Sequence, residues 1–477
     1  MRGMSAREYD VIVIGAGAVG ENVADRAVQG GLKTVIVENE LVGGECSYWA
    51  CMPSKALLRS AASLRAALDL DGAKQAVTGE LDVAGVLRRR DAITHDWKDD
   101  SQVAWLDGAG IELVRGRARF TGPKELDVTA DDGGVIHLTA KYAVAACTGS
   151  AAILPDIPGL RDIEPWTSRD ATSAHEIPAS LAIVGGGVVA CEMATAYAGF
   201  GTKVTLIVRS GLLGGMEPFA ADLVRESLEK LGVTIHQGVE PTEAHRTEKN
   251  AVLALSDGTR VVAEQVLVAT GRVPHTVDLG VENIGLTPGD WLDVDDTMLV
   301  RGSDWLYAVG DVNHRVLLTH QGKYQARAAG DVIAARALGR PVDDRPWGVH
   351  VATADHDAVP QVTFTDPEVA SVGFTEASAR RAGRRIRVLD YDLSWVAGAS
   401  AYADDYRGQA RAIVDEDRGV LIGATFVGPD VAELLHSATI AIVGEVPIER
   451  LWHAVPPYPT VSEVWLRFLE AYGRPTT

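Results

Sequence analysis

Cysteine is scarce in this chain: there are four in 477 residues, Cys46, Cys51, Cys147 and Cys191, and in a reducing compartment they form no structural disulfide framework. Base is short as well. With 45 Lys and Arg against 65 Asp and Glu, the net charge is −20, which argues against a nucleic-acid phosphate backbone or an anionic membrane surface as partner. No long apolar run is free of interruption. The least polar stretch, Leu181 to Val208, contains Glu192, Lys203 and several glycines, and reads as strand, turn, helix and strand rather than a membrane span. Low-complexity tracts are missing too, which excludes a disordered or fibrous chain. Only Met1 to Glu8 precede the first apolar strand, too little for a charged n-region, a signal core and a cleavage site, so the expected location is the cytoplasm. What remains is a globular composition, 47% hydrophobic and 23% charged, over a length that calls for two or three packed domains.

Residues 10–38 read DVIVIGAGAVGENVADRAVQGGLKTVIVE. An apolar strand runs into Gly15, Gly17 and Gly20, a helical stretch follows, and a second strand ends in Glu38. Glycines there allow a tight turn and close approach of a pyrophosphate to a helix N-terminus, while the terminal acid suits ribose hydroxyls. The pattern recurs over Leu181 to Val208, with Gly185, Gly187 and Ala190 in the motif positions. Its second strand is followed by Arg209 and Ser210 instead of an acid; Arg suits the 2′-phosphate of NADPH, which is favoured here over NADH. Two dinucleotide sites in one chain imply relay between two cofactors, the first of which usually holds flavin. Cys147 and Cys191 lie in apolar runs and are expected to be inert core thiols.

Residues 43–58 read GGECSYWACMPSKALL. This C-x-x-x-x-C-x-P-S-K segment resembles the pyridine nucleotide-disulfide oxidoreductases of the dihydrolipoamide dehydrogenase, glutathione reductase and mercuric reductase group. CTGS at Cys147 to Ser150, ATGRVPHT at Ala269 to Thr276, LYAVGDV at Leu306 to Val312 and VPQVTFTDPEVASVGFTE at Val359 to Glu376 follow in that family's order. The resemblance spans nearly the whole chain. It implies an α/β fold with two Rossmann-like dinucleotide-binding domains and a C-terminal αβ dimerisation domain. The expected domains are FAD-binding over 1–150 and again over 279–348, NAD(P)H-binding over 151–278, and the homodimer interface over 349–477. The implied cofactors are FAD, contacted by Gly149, Gly271 and Asp311 in addition to the first glycine motif, and NADPH or NADH.

The family likeness also assigns the chemistry. Cys51 is implied to sit against the flavin as charge-transfer thiolate, and Cys46 to be the interchange thiol. Lys55 approaches flavin N5 and pairs with Glu192. In a regular helix, residues i and i+5 have α-carbons ~8–9 Å apart, against about 7 Å for the longest disulfide, so a bond between these cysteines requires a distorted helix. A helix N-terminus is expected to lower the thiol pKa.

One departure stands out. The family's C-terminal H-P-T-x-S-E segment is YPTVSE here, Tyr458 to Glu463, so the acid–base histidine is a tyrosine supplied, with Glu463, across the dimer. A phenol of pKa about 10 is a poor proton shuttle beside an imidazole of about 6.5. Mercuric reductases share this tyrosine, yet AYGRPTT carries no vicinal cysteines, and neither these nor the N-terminal metal-binding module of those enzymes is expected here. His453 is a substitute acid–base group or a solvent-facing histidine. Tyr48 and Trp49 line an acceptor pocket or pack against a neighbouring domain, and the effect of His275, where relatives carry Asn, is open. The leading expectation is an NAD(P)H-dependent reductase of a disulfide-type acceptor, with a quinone or metal-ion acceptor as the alternative and a non-catalytic flavin-binding protein as the remote one.

Overall fold

The two strands that flank the first glycine motif carry β-branched runs, VIVI and TVIV, that only a sheet covered on both faces can bury. The computed structural model describes residues 7–474; the start of Met1 to Glu8 and the end of AYGRPTT, on which the leader and tail readings rest, lie outside the described residues. Elements that carry the argument are β1 (Arg7–Ile14), α1 (Ala18–Gln29), β2 (Thr34–Glu38), α2 (Gly44–Tyr48), α3 (Cys51–Leu68), β3 (Ser180–Val184), α4 (Val188–Gly199), β4 (Lys203–Val208) and α5 (Thr319–Ala337). The chain divides into two units. Met1–Pro53, Asp91–Ile153 and Gly271–Asp355 form the first; Ser54–Arg90, Leu154–Thr270 and His356–Thr477 form the second.

In the first unit, the sheet runs in the order Glu112–Arg115, β2, β1, Val135–Ala146, Glu125–Thr129 and Arg117–Gly122, with Leu306–Ala308 added beside Val135–Ala146. β1 is parallel to β2, Val11 opposite Thr34, and to Val135–Ala146, Ile12 opposite Val144. All five residues of β2 are buried, as a parallel strand covered on both faces requires. α1 is the crossover between the parallel strands β1 and β2. The turn into it tolerates no side chain at Gly20, where a Cβ would stand 1.9 Å from the Gly15 carbonyl oxygen.

The second unit contains the repeat of that motif. Its parallel sheet has the order Thr234–Gln237, β4, β3, Gln265–Val268, with Leu181 opposite Val204. α4 crosses between β3 and β4 and has Ala190, completely buried, where the first motif has Gly20. A three-stranded antiparallel sheet, Pro241–Arg246, Ala251–Leu255 and Arg260–Ala263, flanks this core. The C-terminal part is a five-stranded antiparallel sheet ordered Pro360–Thr363, Glu368–Gly373, Val420–Gly428, Gln409–Asp415 and Ile386–Asp392, with Val420–Gly428 buried along its whole length. The fold class expected from the sequence, two Rossmann-like domains and a C-terminal αβ domain, is the one observed. No helix among the described residues is long and apolar enough to cross a membrane.

The two motifs should differ in their tolerance of one methyl group. Gly20→Ala is expected to cost about 1–3 kcal/mol or more, because backbone must move to admit it. Ala190→Gly should cost about 1–2 kcal/mol, from the helix-propensity difference and the loss of one buried methyl. Urea unfolding of the two variants measures both values.

Candidate active site

The five-residue cysteine spacing is accommodated by a break between two helices. Cys46 lies in α2 and Cys51 opens α3; between them Trp49 leaves helical geometry at φ −134°, ψ −3°. The amides of Trp49 and Ala50 both donate to the Glu45 carbonyl, at 2.8 and 2.7 Å, so the chain turns on a single acceptor before restarting as helix. Both cysteines are half-buried. Cys51 Sγ lies 3.3 Å from Thr319 Oγ1, the first residue of α5. The hydrogen bond with Cys51, and then burial, push the Cys46 thiol up from its ordinary range. The lowering expected for a helix N-terminus is overridden at Cys46 by the hydrogen bond with the neighbouring sulfur and by partial desolvation.

Cys147 and Cys191 are buried, and burial drives both thiols up, Cys191 to about 12.

Within the second unit, Lys55 Nζ stands 2.9 Å from Glu192 Oε2 and 3.2 Å from Oε1. The glutamate side chain is 4% exposed and the lysine 37%. The Phe364 amide donates to Glu192 Oε1 at 2.9 Å, and its ring lies 4.8 Å beneath the ammonium. Sequence reasoning named the lysine and the glutamate and missed the phenylalanine, which lies inside the recognised VPQVTFTDPE segment.

Other marked residues of the first unit converge at the sheet's end. Glu38 accepts from the Ala16 amide at 2.6 Å and the Glu40 amide at 2.8 Å, and burial raises its carboxyl despite those bonds. Ser150 Oγ donates to Asp311 Oδ2 at 2.6 Å, and Arg272 Nε donates to Ser150 Oγ at 2.6 Å. Ser150–Ala152 pairs antiparallel with Arg272–Pro274, so Gly149, Gly271 and Asp311 sit around one junction. In the second unit, Gly187 caps α4 with no side-chain bond, Gly185 turns at φ 136°, and Arg209 is exposed past β4. Tyr458 is 77% exposed and His453 is exposed. Glu463 is buried, ion-paired to Arg467, and accepts from the Ala397 amide at 3.3 Å.

The sequence matches the pyridine nucleotide-disulphide oxidoreductase family over residues 9–330 and that family's dimerisation domain over residues 359–467. The chain belongs to this family. A mercuric reductase of Staphylococcus aureus is 31% identical over 472 residues, covering 96% of this chain and 81% of that protein. A dihydrolipoyl dehydrogenase of Rhizobium etli is 32% identical over 493 residues, covering 98% and 99%. The Cu(II) complex of RclA, an HOCl-induced flavoprotein disulfide reductase from Escherichia coli, shares the fold with a TM-score of 0.83 at 24% identity, covering 97% of this chain and 99% of that one. This family member is therefore a flavin-dependent pyridine nucleotide-disulfide oxidoreductase, and it carries the dimerisation domain of the family's homodimers.

FAD and a pyridine nucleotide are the family's cofactors, and the first unit fits a dinucleotide. Gly17 caps α1 without a side-chain bond, leaving its first amides to an anion. Thr148 Oγ1 and Glu21 Oε1 are buried and, among the described residues, have no hydrogen-bond partner. Thr148 stands inside the recognised CTGS motif. Glu21 and Thr319 were missed by sequence reasoning. Glu21 directly follows Gly20, and a charged residue on the buried side of a dinucleotide-motif helix was the available signal.

Burial raises the Glu21 carboxyl from 4.5 to about 7, with Lys323 opposing the shift. A raised acid stabilises the fold below its unfolded pKa, and that contribution fades as pH climbs through the folded value. Glu21→Gln should remove a stability loss of roughly 3 kcal/mol between pH 4.5 and about 7. The check is unfolding free energy against pH for both proteins; parallel curves would contradict the assignment.

Proposed function

We propose that the chain is an NAD(P)H-dependent reductase in which Cys46 and Cys51 are the redox pair and the acceptor is of the disulfide type. The helix break that brings the two thiols into one hydrogen-bonded pair carries this reading. Gly15, Gly17 and Gly20 with the α1 N-terminus would hold the FAD diphosphate, Glu38 its ribose, and Asp311 with Gly149 and Gly271 its ribityl region. Gly185, Gly187 and Ala190 would hold the pyridine nucleotide. Bound FAD supplies two-electron exchange between that nucleotide and the cysteine pair.

The protein's own groups divide the remaining work. Opening the Cys46–Cys51 disulfide takes up two electrons and two protons and leaves two thiols. Cys46 holds its proton more firmly than a free thiol, so its attack on an acceptor disulfide requires a base to take that proton. Lys55 places a cation, fixed by Glu192 and Phe364, at the start of α3. Tyr458 of the partner subunit, with Glu463, would complete the site as a hydrogen-bond donor.

A metal-ion or quinone acceptor is the second reading. It is favoured by Tyr458 in place of histidine and by relatives that include mercuric reductases. Cys46→Ser separates the two: turnover with disulfide acceptors should fall by at least about a thousandfold, as expected when a nucleophile is removed. Unchanged turnover with the best acceptor, taken from a screen of disulfides, quinones, Cu(II) and Hg(II), would overturn the disulfide route.

For the nucleotide, the exposed Arg209 past β4 supports NADPH. Arg209→Glu is expected to lower kcat/KM for NADPH by about tenfold or more while sparing NADH, since a carboxylate repels the 2′-phosphate. A preference ratio that does not move would remove the case for NADPH.

A further inference from the structure

α2 is five residues long, too short to be stable by itself, and it carries Cys46. Its ends are held from outside by one segment, residues 94–99. At the entry, Asp99 Oδ2 accepts the Val42 amide at 2.8 Å and the Arg115 guanidinium at 2.5 Å. At the exit, the carbonyl of Tyr48, the last helical residue, is among those for which a helix has no internal donor. Trp97 Nε1 donates to it at 3.1 Å. The Tyr48 hydroxyl returns a longer bond to the Lys98 carbonyl at 3.4 Å, and the Tyr48 ring, 1% exposed, packs edge-on against Trp49.

The segment that presents Trp97 is itself in an unfavourable conformation. His95, Asp96 and Trp97 have φ of 52°, 52° and 53°, three consecutive left-handed residues with no glycine among them. Each such residue costs about 1–2 kcal/mol, and the arrangement persists only where its surroundings over-determine it. It is held by its own backbone bonds, the Trp97 amide to the Thr94 carbonyl at 3.0 Å and the Lys98 amide to the His95 carbonyl at 3.1 Å, together with the bonds to the two ends of α2.

We propose that Trp97, presented by the left-handed turn His95–Trp97, is a positioning residue that keeps the reduced Cys46–Cys51 segment in the backbone geometry of its disulfide. The inference rests on the redox-pair reading above. With the pair reduced, no bond between the sulfurs holds α2 against α3; Pro53, in the first turn of α3, lacks the amide that one regular helix needs, but a kinked helix running from Tyr48 into Cys51 would still carry the cysteine α-carbons towards the helical ~8–9 Å and out of bonding range. The Tyr48 carbonyl, held by Trp97, is withheld from that helical ladder. Ring closure then costs little reorganisation, and the dithiol is the stronger reductant for it.

Wild-type and Trp97→Phe proteins, both loaded with FAD, are equilibrated anaerobically in mixtures of reduced and oxidised dithiothreitol. As the protein disulfide closes, two electrons and two protons pass to oxidised dithiothreitol, which becomes the dithiol. Trapping by alkylation and mass spectrometry counts the Cys46 and Cys51 thiols. Trp97→Phe is expected to lower the disulfide-to-dithiol ratio about tenfold at any given mixture, a rise in potential of about 30 mV. A merely structural tryptophan would move the thermal midpoint and leave that ratio alone. A ratio within about twofold of wild type overturns the proposal. Should Trp97→Phe fail to retain FAD, Tyr48→Phe, which loses only the bond to Lys98, replaces it; a smaller shift in the same direction is expected and no shift overturns the proposal. A wild-type pair that forms no disulfide in any mixture would instead defeat the redox-pair reading itself.

Discussion

A disulfide between residues five apart cannot be made across regular helix, and the segment that carries Cys46 and Cys51 is arranged around that restriction. The break at Trp49 breaks the helical ladder, and each backbone group it releases has to be satisfied from elsewhere. Glu45 takes two amides and Trp97 takes a carbonyl. Thr319, at the start of the 19-residue helix α5, stands against the sulfur on the far side of the break. The Glu45 bonds are local, but the Trp97 and Thr319 contacts come from parts of the chain tens to hundreds of residues away, which makes the cysteine segment a tertiary construction and not only a local motif.

The second unit handles charge by a similar economy. Glu192 is nearly inaccessible to water, a location that is costly for a carboxylate unless each oxygen is engaged. Lys55 approaches both oxygens, and the Phe364 amide donates to the one with the longer lysine bond. The same phenylalanine presents its ring to the ammonium, so a single residue from the start of the C-terminal sheet region stabilises the anion through its backbone and the cation through its side chain.

Much of this was legible from residue order. Gly-x-Gly turns between apolar strands gave both dinucleotide folds, because the steric demand at Gly20 is local and leaves a mark in composition. The need for a broken helix between Cys46 and Cys51 followed from spacing alone. Less visible were the groups that satisfy the break. Nothing about Trp97, Thr319 or Phe364 in sequence distinguishes them from packing residues, since their roles depend on which orphaned backbone or side-chain atom they meet. The Cys46 thiol also escaped prediction: proximity to the second sulfur and burial dominate any helix-end effect, and neither can be read from spacing. Tyr458, the departure most visible in the sequence, has its ring exposed in the single chain.

Burial of Cys147 and Cys191 gives the molecule a simple thiol chemistry. Both sit in apolar surroundings that favour the protonated, unreactive form, so electrophiles and oxidants in solution meet a four-cysteine protein as though it had two. Over-oxidation, alkylation and mixed-disulfide formation are thereby directed to the pair that has a partner sulfur within reach. A sulfenic acid formed on either member can be resolved there by its neighbour before it is oxidised further.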